Sequence, residues 1–437
     1  MNAVGGPMNV VILGNGIAGV TCALALRKRR PDWRITLVSG ESDAFFSRTA
    51  LMYIYMGHMR LSDTQPYEER VWKERRIERV RGWVGAVDVK NARLEFTDGR
   101  TLAWDRLVLA TGSEPNRFGW PGQDLPGVQG LYSLQDLELL EANSKGLRNA
   151  VIVGGGLIGI ELAEMLHSRG VHVTILAREA EYWSNALPVE EARLVGRVIR
   201  EAGIDLRLSS AMRHVEAGAN GRATAIVTES GDRIECGLVG LTAGVRPNLS
   251  ALADKAVPTG RGVLVDALLR TRVEGIYACG DCAEIVEDGG ERGRVEQLWY
   301  TGRMHGEVVA ENLAGGERRY ERGIWFNSAK FMDLEWHTYG QVAPGAAPAA
   351  NERHLWWAHP SGRHALRIVE RDGAVIGMNA LGWRHRQDVW TRWIAERRSL
   401  SDVVKNLRAA NFDPEFFRRF EGEIVAAARG LQMGVAA

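Results

Sequence analysis

The sequence predicts an α/β protein in which two Rossmann-like domains, each a three-layer ββα arrangement, are joined to a small α+β domain at the carboxyl end. Two glycine-rich turns, at residues 14–19 and 154–159, carry the first part of this prediction. Each turn follows a short apolar run and precedes a helical pattern, which is the strand–turn–helix order of a dinucleotide cradle. The third observation is compositional, because seven of the fourteen tryptophans lie from Trp325 onward.

Length, charge and cysteine content limit the class of protein. The 437 residues suffice for about three domains of ~150 residues each. The chain has 55 basic and 54 acidic residues, so its overall charge does not favour nucleic acid binding. Because we find neither a signal region nor an apolar run of the ~18 residues expected of a membrane span, we predict a cytoplasmic location. Four cysteines do not make a secreted disulfide framework, and we predict no metal site.

Each glycine of the first turn has a separate structural role. Gly14 allows the tight turn after the strand, Gly16 lets the backbone approach a pyrophosphate, and Gly19 lets the helix pack closely on the strand. A helix predicted over 20–29 then directs its amino-terminal N–H groups and its dipole toward the phosphates.

The next strand, predicted at 34–38, is expected to end on an acid that holds a ribose hydroxyl. The position falls on Ser39, so we assign the ribose contact to the nearest acid, Glu41. An apolar and aromatic stretch follows, with Ser47 and Arg48 at its polar centre.

The remainder of the first domain reads as a helix, a meander and a returning strand. The helix is predicted over 67–76, and alternating patterns around turn residues predict the meander strands at 84–89, 93–97 and 100–102. A buried strand at 105–109 then leads into the small residues Ala110, Thr111 and Gly112, beneath the first dinucleotide.

The second glycine turn repeats the pattern of the first. Gly154, Gly156 and Gly159 are followed by a predicted helix over 160–169 and a strand at 171–176. A lone turn of this kind is weak evidence, since any tight strand-to-helix turn can use glycines, but two such units in one chain predict two bound dinucleotides.

The end of the second strand bears on the coenzyme. Ala177 occupies the position of the ribose-binding acid, and Arg178 follows it. A cation beside the adenosine ribose suits a 2′-phosphate, which favours NADPH. NADH stays open, because Glu179 is able to reach a ribose hydroxyl and Arg178 is able to be merely solvated.

Two later strands deliver small or acidic residues to the ligand-binding edge of a sheet. The run 238–243 ends on Gly244, and the run 271–279 ends on Gly280 and Asp281. Ligands of open α/β sheets bind at the carboxyl ends of strands. A helix is predicted over 295–313.

The last quarter of the chain predicts strands at 325–333, 366–370 and 374–378 and a helix over 385–398. A last helix is predicted to open at Asp413-Pro414, with Phe416, Phe417, Phe420 and Ile424 on one side. The apolar stripes of these two helices are either core or dimer contacts. Alternatively, the arginines among the tryptophans form a docking face for an acidic electron carrier. One stripe of the 385–398 helix has Val389, Trp390, Trp393 and Ile394, and the arginines lie elsewhere, at Arg384, Arg386, Arg392, Arg397 and Arg398.

Five motifs in order resemble the FAD-dependent pyridine nucleotide-disulfide oxidoreductase superfamily, nearest to its rubredoxin and ferredoxin reductases and the NAD(P)H nitrite reductase flavoprotein. They span about residues 8–320 and are the two glycine turns, Ala110-Thr111-Gly112, Ala243-Gly244, and Gly280-Asp281. The loop-forming residues at 119–130 and the compositional shift at Trp325 predict domain boundaries. With them, the resemblance implies an FAD-binding domain at 1–118 and 246–324, an NAD(P)H-binding domain at 119–245, and an interface or partner domain at 325–437.

The resemblance also implies roles for single residues. Asp281 is expected to accept a hydrogen bond from the ribityl chain of FAD, and Glu161 is expected near the nicotinamide. Gln297 is expected near the pyrimidine edge of the flavin, with Lys330 as a second candidate beside the ring; helix capping and a surface lysine are the alternatives.

Arg48 is the departure from the family pattern that decides the chemistry. Thiol-using members, such as NADH peroxidase, have a redox cysteine after a Phe-x-Ser stretch, where this chain has Phe45-Phe46-Ser47 followed by Arg48. A guanidinium forms no flavin adduct and exchanges no disulfide. Arg48 either stabilises charge on reduced flavin or an anionic acceptor, or contacts phosphates or an acid. Cys279 and Cys282 are predicted to be structural thiols, because the turn between them is committed to cofactor binding.

The sequence thus predicts an FAD-containing NAD(P)H oxidoreductase that passes electrons directly to an external acceptor. The preferred acceptor is an acidic carrier of the ferredoxin or rubredoxin type, and a quinone is the enzymatic alternative. A third hypothesis is a redox-sensing or scaffolding flavoprotein resembling apoptosis-inducing factor, with vestigial turnover. A homodimer is also compatible with the sequence.

Overall fold

The computed structural model describes residues 7–252, 256–286, 293–345, 348–412 and 419–432. The chain divides into two compact units. The first comprises Met1–Phe118, Gly130–Lys145 and Gly244–Arg322, and the second comprises Gly119–Gln129, Gly146–Ala243 and Gly323–Ala437. This division groups 130–145 with the first unit and the carboxyl-terminal residues with the second, and the three-domain boundaries stay a prediction.

The strands of the described residues are numbered in chain order. They are β1 Asn9–Leu13, β2 Arg34–Ser39, β3 Ile77–Arg81, β4 Val84–Asp88, β5 Arg93–Phe96, β6 Thr101–Ala103, β7 Arg106–Leu109, β8 Ser113–Pro115, β9 Val128–Gln129, β10 Asn149–Val153, β11 His172–Leu176, β12 Asp205–Arg207, β13 Met212–Ala217, β14 Ala223–Thr228, β15 Arg233–Glu235, β16 Leu238–Leu241, β17 Val245–Pro247, β18 Val263–Val265, β19 Ile276–Ala278, β20 Ala283–Ile285, β21 Arg294–Val295, β22 Phe326–Phe331, β23 Leu334–Gly340, β24 Glu352–Ala358, β25 Ala365–Arg371 and β26 Ala374–Leu381.

The α-helices are numbered in the same way. They are α1 Ile17–Arg29, α2 Leu51–Tyr55, α3 Glu69–Glu74, α4 Leu134–Asn143, α5 Leu157–Ser168, α6 Val189–Glu201, α7 Trp299–Leu313, α8 Gln387–Ala395, α9 Leu400–Lys405 and α10 Glu421–Gln432. Among the residues that the structure describes, no helix is both long and apolar enough to span a bilayer.

The first unit is built on a five-stranded parallel sheet in the order β19-β7-β1-β2-β3. The central strand β1 is fully apolar from Val10 to Leu13 because both of its faces are covered, as is usual for parallel sheets. Helix α7 packs directly on α1, and a Cβ at Gly306 would lie 2.4 Å from the carbonyl oxygen of Ala18. Smaller sheets β4-β5-β6, β17-β8 and β18-β20-β21 also belong to this unit.

The second unit repeats this plan with the sheet order β12-β11-β10-β16-β9, in which β10 pairs in parallel with β11 and β16. A three-stranded meander, β13-β14-β15, accompanies it. The two parallel sheets, each opened by a glycine turn, confirm the predicted fold class.

The carboxyl-terminal part of the second unit is a five-stranded antiparallel sheet in the order β22-β23-β26-β25-β24. Helices α8 and α9 cover it, and Trp390 and Trp393 of α8 are buried in the core that they share with Trp383. The tryptophan stripe is therefore core, which favours that interpretation over a docking face. The predicted opening of the last helix at 413–417 lies outside the described residues, whereas Phe420 and Ile424 are buried in the same core.

Candidate functional site

The first glycine turn is packed on one side and open on the other. Gly14 has φ of 119°, and a Cβ there would lie 2.0 Å from the carbonyl oxygen of Ala110. A Cβ at Gly19 would lie 2.0 Å from the carbonyl oxygen of Gly14, so neither position accepts a side chain. At Gly16, however, a Cβ would meet no described atom within 4 Å. The open side lies at the amino terminus of α1, where a phosphate is favoured.

The second turn reproduces this arrangement. Gly154 has φ of 128°, with a Cβ position 2.5 Å from the carbonyl oxygen of Thr242. A Cβ at Gly159 would lie 2.3 Å from the carbonyl oxygen of Gly154, and one at Gly156 would meet no described atom within 4 Å. Both turns thus use two glycines for close packing and leave the middle glycine facing free space at a helix start.

A chain of hydrogen bonds joins three distant parts of the first unit. Ser113 Oγ donates to Asp281 Oδ2 at 2.9 Å, and Gln297 Nε2 donates to Ser113 Oγ at 2.9 Å. Burial raises the pKa of Asp281, while the Ser113 hydrogen bond and the positive charge of Arg48 act in the opposite direction. The structure therefore brings Asp281 and Gln297 together through Ser113, which the sequence reasoning did not single out.

Asp281 is placed by the turn that precedes it. Gly280 has φ of 75°, a backbone conformation that favours glycine, and its N–H donates to Nδ1 of His305 at 3.1 Å. His305 is fully buried in α7, and burial lowers its pKa to about 3. His305 is thus a neutral acceptor that holds the backbone of the turn.

Arg48 lies between an acid and two aromatic rings. Its Nη1 donates to Oε1 of Glu41 at 2.7 Å and its Nη2 donates to Oε2 at 2.6 Å. The guanidinium lies 4.5 Å from the ring centroid of Tyr132 and 5.4 Å from that of Phe46, within cation–π range. Burial lowers the pKa of Arg48, but the hydrogen bonds and charge of Glu41 outweigh this effect and raise it. Arg48 is therefore a fixed positive charge.

Tyr132 links the Arg48 pair to the Asp281 chain. Its carbonyl oxygen accepts a hydrogen bond from Arg48 Nη1 at 2.6 Å, and its hydroxyl oxygen accepts one from the N–H of Ser113 at 2.9 Å. Tyr132 belongs to the segment 130–145 that groups with the first unit, which explains why its role was missed: the sequence prediction assigned this segment to the second domain.

Glu41, the predicted ribose ligand, has most of its acceptor capacity occupied. Oε1 accepts from Arg48 and from the N–H of Leu134 at 2.9 Å, and Oε2 accepts from Arg48. A carboxylate has about four acceptor positions, so one on Oε2 can still receive a hydroxyl. The ribose contact stays a prediction.

The other predicted cofactor residues of the first unit lie in loops fixed by backbone hydrogen bonds. The N–H of Ser47 donates to the carbonyl oxygen of Thr64 at 2.9 Å. Thr111 Oγ1 donates to the carbonyl oxygen of Asn248 at 2.7 Å, next to Ala110 at the end of β7. Gly112 and Gly244 have φ of 70° and 85°, which a residue with a side chain rarely adopts.

Glu161 and Lys330 both belong to the second unit. Glu161 and Glu164 lie three residues apart on α5, and Lys330 of β22 donates to Glu164 Oε1 at 2.7 Å. Burial, followed by the charge of Glu164, raises the pKa of Glu161 to about 7. The structure thus places Lys330 on an acid near Glu161, on the helix that the second glycine turn opens.

Arg178 lies on the surface beyond β11. Its side chain is 84% exposed, and its Nε lies 3.4 Å from Oε1 of Glu179. Such an exposed pair stabilises the fold little, so the guanidinium is available to an anion.

The four cysteines of the chain are buried and unpaired. Burial raises the pKa of Cys22 and Cys236 to about 12, and it raises the pKa of Cys279 and Cys282 above the ordinary value as well. Thiolate is the reactive form of cysteine, and these thiols are protonated near neutral pH. The Cys279–Cys282 pair therefore has the surroundings of structural thiols.

Comparison with known proteins finds relatives similar in sequence and a solved structure similar in fold. The rhodocoxin reductase of Rhodococcus erythropolis is 30% identical over 332 residues, which cover 74% of this chain and 76% of that protein. The ferredoxin–NAD(+) reductase component of the p-cumate 2,3-dioxygenase system of Pseudomonas putida is 29% identical over 90% of this chain and 94% of that protein. A crystal structure of a ferredoxin reductase from Rhodopseudomonas palustris matches with a TM-score of 0.77 at 23% identity, covering 86% of this chain and 91% of that one.

The family model described as pyridine nucleotide-disulphide oxidoreductase matches residues 8–306, a range that contains both glycine turns, Arg48, Asp281 and Gln297. The match extends over more than half of the chain, and the chain belongs to the pyridine nucleotide-disulphide oxidoreductase family.

Proposed function

We propose that the protein is an FAD-dependent NAD(P)H oxidoreductase that delivers electrons to a small acidic carrier protein of the ferredoxin or rubredoxin type. The observation that carries this proposal is the duplicated glycine turn, with Gly16 and Gly156 open at the starts of α1 and α5. Two such openings in one chain suit two dinucleotides, and the family match agrees with FAD and NAD(P)H as their occupants.

The residues of the first unit fit FAD. Gly14, Gly16 and Gly19 would hold its pyrophosphate, and the buried carboxylate of Asp281 would accept a hydroxyl of its ribityl chain. Ser113 and Gln297 keep that carboxylate in place through their hydrogen bonds. Bound FAD supplies hydride acceptance and stepwise electron release, and the protein supplies binding, orientation and electrostatics.

The route from flavin to carrier needs no protein thiol. We assign Arg48 to the position at which thiol-using members of this family have their redox cysteine, and the four cysteines of this chain are buried with raised pKa values. As a fixed cation held by Glu41, Arg48 would favour negative charge nearby, such as that of an anionic reduced flavin or of a phosphate.

The second unit is proposed to hold NADPH in preference to NADH. The exposed Arg178 guanidinium would pair with the 2′-phosphate, whereas Ala177, at the position of the usual ribose-binding acid, repels no phosphate. Glu161, whose pKa is raised by burial to about 7, would contact the nicotinamide.

The partner proposal is supported by the names of the relatives. A rhodocoxin reductase and a ferredoxin–NAD(+) reductase are named for their carriers, and the latter aligns over 94% of its length. The acidic character of the carrier, a homodimeric assembly and a cytoplasmic location are the finer predictions of the sequence.

Anaerobic rapid mixing tests this function. We expect NADPH to bleach the bound flavin rapidly, and the reduced enzyme to reduce a ferredoxin or a rubredoxin in a second mixing step. The rate with an acidic carrier should fall steeply with salt, since opposite charges steer the encounter. A neutral quinone serves as the control, because its rate should not depend on salt. Slow bleaching with a long-lived charge-transfer complex would instead support a sensor, and reduction of the quinone alone would support a quinone reductase.

A further inference from the structure

An exposed tryptophan lies at the ligand-binding edge of the first unit. Trp83 follows β3 after one residue, and 57% of its surface is exposed. Most of the other tryptophans are buried or half-buried, as befits the largest apolar side chain. The position of Trp83 relative to β2 and β3 indicates a role for its exposed indole.

The indole of Trp83 rests on the backbone of Gly40. A Cβ at Gly40 would lie 2.2 Å from Cδ2 and 2.4 Å from Cε3 of Trp83, so only glycine admits the ring at this place. The N–H of Gly82 donates to the carbonyl oxygen of Ser39 at 2.9 Å. The N–H of Thr97 donates to the carbonyl oxygen of Trp83, also at 2.9 Å. The main chain that carries Trp83 is therefore hydrogen-bonded to its neighbours, and the indole lies against Gly40.

This position corresponds to the adenosine end of the dinucleotide site that the fold predicts. Gly40 follows the last residue of β2, and the N–H of Gly14 donates to the carbonyl oxygen of Val38 on the same strand at 2.8 Å. In this fold the pyrophosphate lies over the glycine turn, and the ribose lies at the end of the second strand. Strand β3 pairs with β2 on the side away from β1, so we expect a base beyond the ribose to lie toward β3 and Trp83.

We propose that Trp83 is a stacking platform for the adenine ring of FAD, held in place by Gly40. This inference rests on the proposed function, because it takes FAD as the occupant of the first glycine turn. An indole offers a broad π-face to a base, and stacking of this kind contributes substantially to nucleotide affinity without reading the base edges. Trp83 would then raise the affinity for FAD over FMN, which lacks adenosine.

The test compares dissociation constants of FAD and FMN for wild type, Trp83→Ala and Trp83→Phe. We expect Trp83→Ala to weaken FAD binding about 10-fold while leaving FMN binding unchanged, and Trp83→Phe to retain most of the FAD affinity. Phe412→Ala is the matched control, since Phe412 is 58% exposed in the second unit and should leave both constants unchanged. Gly40→Ala, which displaces the indole, should resemble Trp83→Ala.

The results separate the failure of this inference from the failure of the proposed function. A wild-type protein that binds neither flavin would overturn the cofactor assignment. A wild type that binds FAD, with an FAD-to-FMN preference unchanged in Trp83→Ala, would overturn the stacking role alone. Equal weakening of FAD and FMN in Trp83→Ala would also overturn it, because the loss would not involve the adenine.

Discussion

Arg48 and Glu41 form a two-point ion pair, with Nη1–Oε1 at 2.7 Å and Nη2–Oε2 at 2.6 Å. The side chains are 31% and 15% exposed, so the pair is only partly screened by water. Two parallel hydrogen bonds fix the orientation of the guanidinium as well as its position. Arg48, which we assign to the position of the family's redox cysteine, is thus a rigid cation.

Removing either partner should leave the other unpaired in a partly buried place. We expect Arg48→Ala and Glu41→Gln each to lower the free energy of unfolding by about 1–3 kcal/mol, and the double variant to lose less than the sum. Urea unfolding at a fixed FAD concentration measures this coupling. The exposed pair of Arg34 and Glu78, 2.7 Å apart, is the control and should couple by less than about 1 kcal/mol. Additive losses at Arg48 and Glu41 would contradict the interpretation.

Gly16 and Gly156 test the two dinucleotide sites separately. A methyl group at either position meets no described protein atom within 4 Å, so both alanine variants should fold. We expect Gly16→Ala to lose FAD and Gly156→Ala to keep FAD but raise the KM for NAD(P)H about 10-fold or more. Flavin content and steady-state kinetics distinguish the two. The assignment of the turns fails if Gly156→Ala loses the flavin and Gly16→Ala keeps it.

The raised pKa of Glu161 should make the free energy of unfolding depend on pH. Its pKa is about 7 in the folded protein and about 4.5 ordinarily, so the folded state binds this proton more tightly than the unfolded chain. The resulting stabilisation is full below about pH 4.5 and is lost as pH rises to about 7. Relative to wild type, Glu161→Gln should therefore gain roughly 1–3 kcal/mol between pH 5 and pH 8.

Unfolding by urea across that pH range measures the gain. Glu229→Gln, at an exposed position, is the control and should run parallel to wild type. A Glu161→Gln curve that also stays parallel to wild type would show that the carboxyl is not protonated near neutral pH.

The coenzyme preference depends on Arg178. We expect Arg178→Ala to lower kcat/KM for NADPH about 10-fold and to leave that for NADH within about twofold, because a charge-assisted contact to the 2′-phosphate is worth roughly 1.5 kcal/mol or more. Arg193, an exposed arginine 2.8 Å from Glu181, is the control. A wild type that prefers NADH, or equal losses for both coenzymes, would count against NADPH.

The local parts of the site were predictable from the sequence. Gly14 and Gly154 have positive φ at the point where a strand turns into a helix, and both flanking elements are in the same segment of sequence. Strand β1 and helix α1 follow from an apolar run and a helical period in the same segment. Such signals depend on neighbours in the chain, which a sequence displays directly.

The long-range parts were not predictable in this way. Ser113 contacts Asp281 across 168 residues and Gln297 across 184, and nothing near Ser113 in sequence marks it for that place. The partner of Arg48 was open between a phosphate, an acid and a flavin, although Glu41 is only seven residues away. The sequence pattern predicts which helix or strand a residue belongs to, but only the folded structure shows which distant residue it contacts.

The number of electrons that the enzyme accepts per FAD tests the central claim most directly. Anaerobic titration with dithionite should reduce the protein with two electrons per FAD, because there is no redox disulfide to accept a further two electrons. The variant with Cys279→Ser and Cys282→Ser should take up the same two electrons and keep most NAD(P)H-dependent turnover. Uptake of four electrons per FAD by wild type, falling to two in the variant, would show a redox disulfide and contradict the account.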